Sequence, residues 1–218
     1  MFWQELRHAA RQLLKRPGYA LLSVLVLAGG LGSTLFMLSA IDAFILKPLP
    51  FPHADRLVHI GAHEAGDDDY EGISARDFAQ IGAQKPQGLE VLAAYGSGTI
   101  NVADDGGPER YDGAFVTHDL FPLIGEQPVL GRAFTAEDDE PGAPTVALLS
   151  DRVWRDRYHA DPGVIGKTIR INAQPATIIG VMPPKFAFPF RENVWIPLRA
   201  DPAQKRADAF WVEMIGRV

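Results

Sequence analysis

A chain of 218 residues with 47% apolar, 10% aromatic and 22% charged side chains carries enough apolar material for a packed core, which excludes a wholly disordered polymer. A net charge of −6 argues against a general nucleic-acid-binding surface. The absence of cysteine removes disulfides, thiolate metal sites, iron–sulfur clusters and cysteine nucleophiles together.

The charge is unevenly spread. Residues 1–17 carry Arg7, Arg11, Lys15 and Arg16 against Glu5, a net of +3. Phe2, Leu6, Ala9, Ala10 and Leu13 recur at helical spacing opposite those bases, the pattern of an amphipathic basic helix lying on an inner leaflet, or of a charged flank that only fixes topology. From Gly18 to Ile41 there are 24 residues without a charge, followed by Asp42, three apolar residues and Leu46. At roughly 1.5 Å per residue this run reaches about 36 Å, beyond the ~30 Å hydrocarbon core. It is longer than the apolar region of a secretory signal, and Leu38-Ser39-Ala40 puts Leu where a cleavage site wants a small residue. One membrane helix within 18–46 is expected, with 1–17 cytoplasmic and 47–218 outside by the positive-inside rule. Ala28, Gly29, Gly32 and Ser33 form a small-residue patch at four-residue spacing, which in lipid lets a second helix approach closely; glycine is also simply common in such helices.

Residues 47–218 hold 17 basic and 25 acidic side chains, a net of −8. The alternating prolines of Lys47-Pro48-Leu49-Pro50-Phe51-Pro52 predict an extended linker. Leu57–Ile60 reads as a strand, and the acidic loop 67–71 precedes Ser74, which has N-cap spacing to Asp77. Leu89–Tyr95, Thr99–Val102 and Arg110–Val116 read as strands. Gly96-Ser97-Gly98 reads as a turn, and Asp104-Asp105-Gly106-Gly107 as a hairpin turn. Thr117 is the expected cap of a short helix through Leu120 and Phe121. Thr145–Leu149 is an apolar strand, and Ser150 caps a helix with Trp154 and Tyr158 on one face, Trp154 entering the core. Lys167–Ile171 alternates at period two, turns at Asn172-Ala173 and returns as Ala176–Val181. Asn193–Ile196 and Phe210–Ile215 close the series. Interleaved strands and helices without a repeat give an α+β class, a mixed α/β domain behind one membrane helix.

Chemistry is sparse. No phosphate-binding Gly-x4-Gly-Lys loop occurs, and Gly96-Ser97-Gly98 lacks nucleophile-elbow spacing. His59 and His63 are four apart, but on a strand that separation is about 13 Å, unsuited to one metal. Glu137-Asp138-Asp139-Glu140 lacks the spaced ligands of a calcium loop and reads as a solvated acidic turn. No catalytic, cofactor-binding or metal-ligating residue is assigned.

The chain resembles the N-terminal part of MacB-like/FtsX-type ABC transporter permeases and their MacB-like periplasmic core domain. The resemblance runs through Leu46-Lys47-Pro48-Leu49-Pro50-Phe51-Pro52, His118–Gly125, Leu130–Phe134, Val146–Trp154, Asp161–Lys167, Ile179–Pro184 and Val194–Leu198. Asn172-Ala173 departs from the Asn-Gly usual there, so another turn type is expected. The resemblance implies a non-catalytic permease subunit of the inner membrane, working with a separate ATP-binding subunit in export or mechanotransmission. It also implies further membrane helices, which the patch at Ala28, Gly29, Gly32 and Ser33 would meet. The alternative is a membrane-tethered exported enzyme such as a hydrolase. Phe210–Ile215, apolar on both faces, leads to the expectation of a doubly covered, parallel-sheet strand and of a chain incomplete as a functional unit.

Overall fold

The computed structural model describes residues 17–42, 51, 54–62, 72–84, 87–203, 205 and 210–218. The basic head at 1–16, the linker prolines, His63 and the acidic loop 67–71 lie outside the described residues. The chain divides into two compact units, Met1–Pro50 and Phe51–Val218.

In the first unit, helix α1 spans Pro17–Ile41. Proline suits the first turn, where its missing N–H has no intrahelical partner to lose. Twenty-five residues extend about 37 Å, and the mean hydropathy over the best window is 2.1. Leu21, Leu22, Val24, Leu25, Val26 and Leu27 are all exposed, so the helix is apolar around its whole circumference. A helix of that kind belongs in a core or a bilayer, and by length and composition it can cross a membrane.

The second unit is a mixed sheet with three short helices. In chain order it comprises β1 (Leu57–Ile60), β2 (Ile73–Ser74), α2 (Ala75–Ala83), β3 (Val91–Asp104), β4 (Gly107–Val116), α3 (Leu120–Ile124), β5 (Leu130–Gly131) and β6 (Thr145–Leu149). Then follow α4 (Asp151–Tyr158), β7 (Thr168–Ile171), β8 (Gln174–Val181), β9 (Val194–Pro197) and β10 (Trp211–Arg217). Pairing runs β3–β4–β9–β6–β8–β7 and returns to β3 through Val102–Ile171 and Ala103–Arg170, closing a six-stranded ring. The β4–β9 and β6–β8 pairs are parallel and the other four antiparallel. Alternation at period two fills this ring from several strands. Ile100, Val102, Ala147, Leu149, Ile169, Ile171, Ala176, Ile178, Val194 and Ile196 form one buried cluster. The intervening Ala114, Val116, Val146, Leu148 and Trp195 point the other way, onto Leu120, Phe121, Leu123 and Ile124 of α3. A register shift between Ala147 and Leu148 lets Ile178 and Val181 join the first cluster while Ile179 joins the second.

The N-terminal half of β3 leaves the ring and pairs with β10, which pairs in turn with β1 and β2. Ile73, Ala75 and Phe78 pack there against Ala94, Val212 and Met214. All three neighbours of β10 are antiparallel. The last strand is therefore covered at both edges, but not by the parallel sheet its composition suggested.

Local signals account for most element starts. Ser74 and Ser150 accept from Asp77 N at 3.1 Å and Val153 N at 3.2 Å, so both caps form as their spacing requires. Thr117 does not cap α3: its Oγ1 accepts from Ala94 N at 3.0 Å across the sheet, and the N-cap is Asp119. Gly96-Ser97-Gly98 is not a turn but the middle of β3. A Cβ on Gly96 would stand 2.8 Å from Trp211 O, and one on Gly98 3.2 Å from the Phe115 ring; glycine here permits close approach rather than chain reversal. The β7–β8 hairpin retains left-handed backbone at both turn residues, with φ of 48° at Asn172 and 69° at Ala173. No other turn type replaces it, and Ala173 bears the strain.

Candidate functional site

On α1 the anticipated patch is present as a surface. Ala28, Gly29, Gly32 and Ser33 are exposed, and a Cβ added at Gly29, Gly30 or Gly32 would meet nothing within 4 Å. Thr34 Oγ1 donates to Gly30 O at 2.9 Å, so its hydroxyl is satisfied within the helix. The small residues leave a shallow, apolar strip of backbone.

In the second unit the strongest polar constellation is one that spacing did not reveal. Arg157, near the end of α4, reaches the β3–β4 hairpin: its Nη2 lies 2.6 Å from Asp104 Oδ1 and its Nε 3.2 Å from Oδ2. The same guanidinium donates to Glu109 Oε2 at 2.8 Å and to Gly107 O. Tyr158 Oη donates to Asp104 Oδ2 at 2.6 Å, and Gly106 N to Oδ1 at 2.8 Å. Side-chain exposure is 8% for Arg157 and 4% for Asp104. Burial pushes the Asp104 carboxyl upward, but hydrogen bonds from Arg157, Tyr158 and Gly106 outweigh it and hold the pKa at about 2. Burial, then the Glu109 hydrogen bond, pushes Tyr111 up to about 12. Every acceptor of Asp104 is engaged within the fold, so this carboxylate staples the hairpin to α4 and offers no free lone pair to a substrate.

The middle of the acidic run 137–140 is likewise built in, while Glu137 and Glu140 are exposed. Asp138 is buried, accepts from Arg132 Nη1 at 2.6 Å and from Thr135 N at 2.9 Å, and completes a capping box on the 3-10 turn Ala136–Asp139. Asp139 Oδ2 takes both His118 N and His118 Nδ1 at 2.7 Å. That hydrogen bond raises the His118 pKa; burial opposes it, and Asp119 and Glu137 add to it. The expectation of a solvated turn holds for Glu137 and Glu140 and fails for Asp138 and Asp139, which Arg132 and His118 engage. His59 Nε2 lies 2.7 Å from Glu213 Oε2. Among the described residues no group of three His, Asp or Glu is placed to hold a metal ion.

The model of the MacB-like periplasmic core domain matches residues 20–216. No curated protein matches the chain. Solved structures share its fold, three of them as follows. The periplasmic region of MacB from Actinobacillus actinomycetemcomitans is 15% identical with a TM-score of 0.55, covering 74% of this chain and 73% of that one. A domain of a putative permease protein from Porphyromonas gingivalis is 18% identical with a TM-score of 0.58, covering 77% of each. The extracellular domain of the noncanonic ABC-type transporter YknZ from Gram-positive bacteria is 12% identical with a TM-score of 0.52, covering 74% of this chain and 81% of that one. With a family match over nearly its whole length, an apolar N-terminal helix and this mixed sheet behind it, the chain belongs to the MacB-like periplasmic core domain family.

Proposed function

We propose that this chain is a non-catalytic permease component of an ABC-type system of the inner membrane, in which a separate ATP-binding subunit in the cytoplasm drives motion of an extracytoplasmic domain. The family match over residues 20–216 carries this reading, since it spans the membrane-length helix and the folded domain together. Residues 1–17 are assigned to the cytoplasm, 18–46 to the membrane and 47–218 to the extracytoplasmic side, in keeping with a basic head of net +3 and a body of net −8. Ala28, Gly29, Gly32 and Ser33 are assigned to contact with other permease helices, which the open surface above the glycines supports. The engagement of the buried carboxylates by structural partners supports a transmitting rather than a catalytic domain.

The test combines topology with turnover. Alkaline phosphatase fused after Val218 is expected to be active and a cytoplasm-dependent fluorescent reporter at the same place dark. The purified chain is expected to turn over no ATP alone and to co-purify with the ATP-binding subunit of its system. A reporter active only in the cytoplasm overturns the orientation, and ATP hydrolysis by the chain alone overturns the permease reading.

A further inference from the structure

Where β3, β10 and the segment before β9 meet, a cleft of about 510 Å³ opens that none of the architecture above requires. Its rim carries two large rings in solvent, Trp211 at 56% and Phe190 at 74% exposure. Its walls add Tyr95, Ser97 and the Glu213 carboxylate. Behind the wall lies Glu192, only 4% exposed, whose Oε1 accepts from Ser97 Oγ at 2.7 Å and whose Oε2 accepts from Phe190 N at 2.6 Å. A carboxylate so buried is ordinarily paired with a cation. Among the described residues no lysine or arginine lines the cleft, and Glu192 makes no ion pair there. Glu213 contacts one imidazole, His59, through Oε2. Gly72 keeps the floor open beside the other oxygen, for a Cβ there would stand 3.5 Å from Glu213 Oε1 and 3.0 Å from Val212 O.

Two carboxylates under aromatic faces, with no lysine or arginine among the described residues of the cleft and only the His59 imidazole on Glu213, form the recognition chemistry of an alkylated ammonium: ring quadrupoles and carboxylates attract the same charge, while the rings accept the apolar body. The net −8 of residues 47–218 reinforces that sign. An anion would meet only repulsion, and a neutral apolar molecule would leave the carboxylates uncompensated. We propose that this cleft binds a small organic ammonium with an apolar substituent, held by Trp211 and Tyr95 over its charge, by Glu213 directly and by the field of Glu192. The site stands on the cleft alone and does not depend on what the chain transmits across the membrane.

The probe is benzyltrimethylammonium, titrated by saturation-transfer NMR against the full chain in zwitterionic nanodiscs, with empty nanodiscs as background. Benzyl alcohol is the neutral control and benzenesulfonate the anionic one. Saturable binding of the cation alone is expected, with a Kd of about 1 mM or tighter for so small a ligand, weakening as salt rises from 20 to 300 mM. Trp211→Leu and Glu213→Gln, both partly exposed, are each expected to weaken binding about tenfold with unchanged melting temperature. Equal binding of benzyl alcohol, binding of the sulfonate, no saturation above empty nanodiscs, or folded variants that bind as the parent does each overturn the proposal. Should a variant fail to fold, the salt dependence and the cation–anion comparison on the unaltered chain decide it.

Discussion

Replacing Arg157 with Met keeps most of the aliphatic stem and deletes the charge, leaving Asp104 with 4% of its side chain exposed and no cation. Two magnitudes bear on the outcome. The fall of the Asp104 pKa from 3.8 to about 2 corresponds to about 2 kcal/mol at roughly 1.4 kcal/mol per unit. That value measures what ionisation contributes while Arg157 is present. Removing one partner of a buried pair costs more, about 3–5 kcal/mol, because the remaining carboxylate has lost its hydration and its counter-charge together. The larger figure governs here, since Asp104 is the buried member of the pair and Gly107 O loses the same donor, whereas Glu109 is exposed and keeps its bond from Tyr111. For a domain of this size about 1 kcal/mol moves the melting temperature by roughly 2–4 °C, so Arg157→Met is expected to melt about 6–20 °C lower. The assay is thermal unfolding of the full chain in detergent, followed by tryptophan fluorescence. A second variant separates charge from packing: Arg157→Met with Asp104→Asn removes both ions, and is expected to recover part of the loss. The parent should also lose stability as pH falls from about 4 towards 2, because a depressed carboxyl contributes above its unfolded pKa and ceases to as it protonates. A loss below about 1 kcal/mol in Arg157→Met, or a double variant less stable than the single, would refute the staple.

Two further outcomes follow from single residues. His118, its pKa raised by the Asp139 hydrogen bond with Asp119 and Glu137 adding to it, contributes stability in full below the unfolded pKa near 6.5 and loses it as pH rises through the higher folded value. Melting scans from pH 5 to 9 should therefore show a decline in the parent that His118→Gln lacks, and parallel curves would remove His118 from the account. Ala173→Gly should stabilise by about 0.5–1 kcal/mol, relief of left-handed strain at φ 69° exceeding the entropy glycine adds to the unfolded chain; a lower melting temperature would contradict that balance.

The contrast between Ser150 and Thr117 explains what the sequence reveals and what it hides. The bond of Ser150 closes within three residues, to Val153 N, so residue type and spacing suffice. Thr117 carries the same hydroxyl in the same kind of position, yet its partner, Ala94, is 23 residues back across the sheet. Gly96 shows the same limit from the other side: its reason is the approach of Trp211 O in β10, which spacing around residue 96 cannot disclose. The ring of strands is a further case, since the alternation in β7 forecasts a strand with one buried face but not that β7 joins β3 to β8. Within the acidic run 137–140, Glu137 and Glu140 are solvated as composition suggests, whereas the partners of Asp138 and Asp139, Arg132 and His118, lie outside the run. The membrane helix was legible at once, because a bilayer tests composition and length and needs no remote partner. The polar staple joins Arg157 to Asp104 across 53 positions, and the wall of the aromatic cleft joins Ser97 to Glu192 across 95.

Trp154 of α4 and Trp195 of β9 turn that distinction into a measurement. The spacing of α4 assigns Trp154 to the core, but it lies half-buried at the edge of its cluster, with Nε1 donating to Asp161 O at 2.9 Å and Arg155 over the ring at 5.7 Å. Trp195 in β9 is wholly buried, its ring against Phe121 and Phe186 and its Nε1 donating to Phe188 O at 2.8 Å. Truncation of a buried Trp costs about 3–5 kcal/mol through lost transfer energy and the cavity left behind. Trp195→Ala is expected at the upper end of that range, since Phe188 O loses its donor as well. Trp154→Ala, whose site lies open to water and can relax, is expected at about 1–2 kcal/mol. Trp195→Phe resolves the larger loss: it keeps ring packing and removes the donor, so it should fall between the parent and the alanine variant. Urea unfolding of the three variants, followed by far-ultraviolet circular dichroism, gives the ordering. Equal losses at the two alanine sites, or a greater one at Trp154, would place the core of this domain on α4 rather than on the strand that joins β4 to β6.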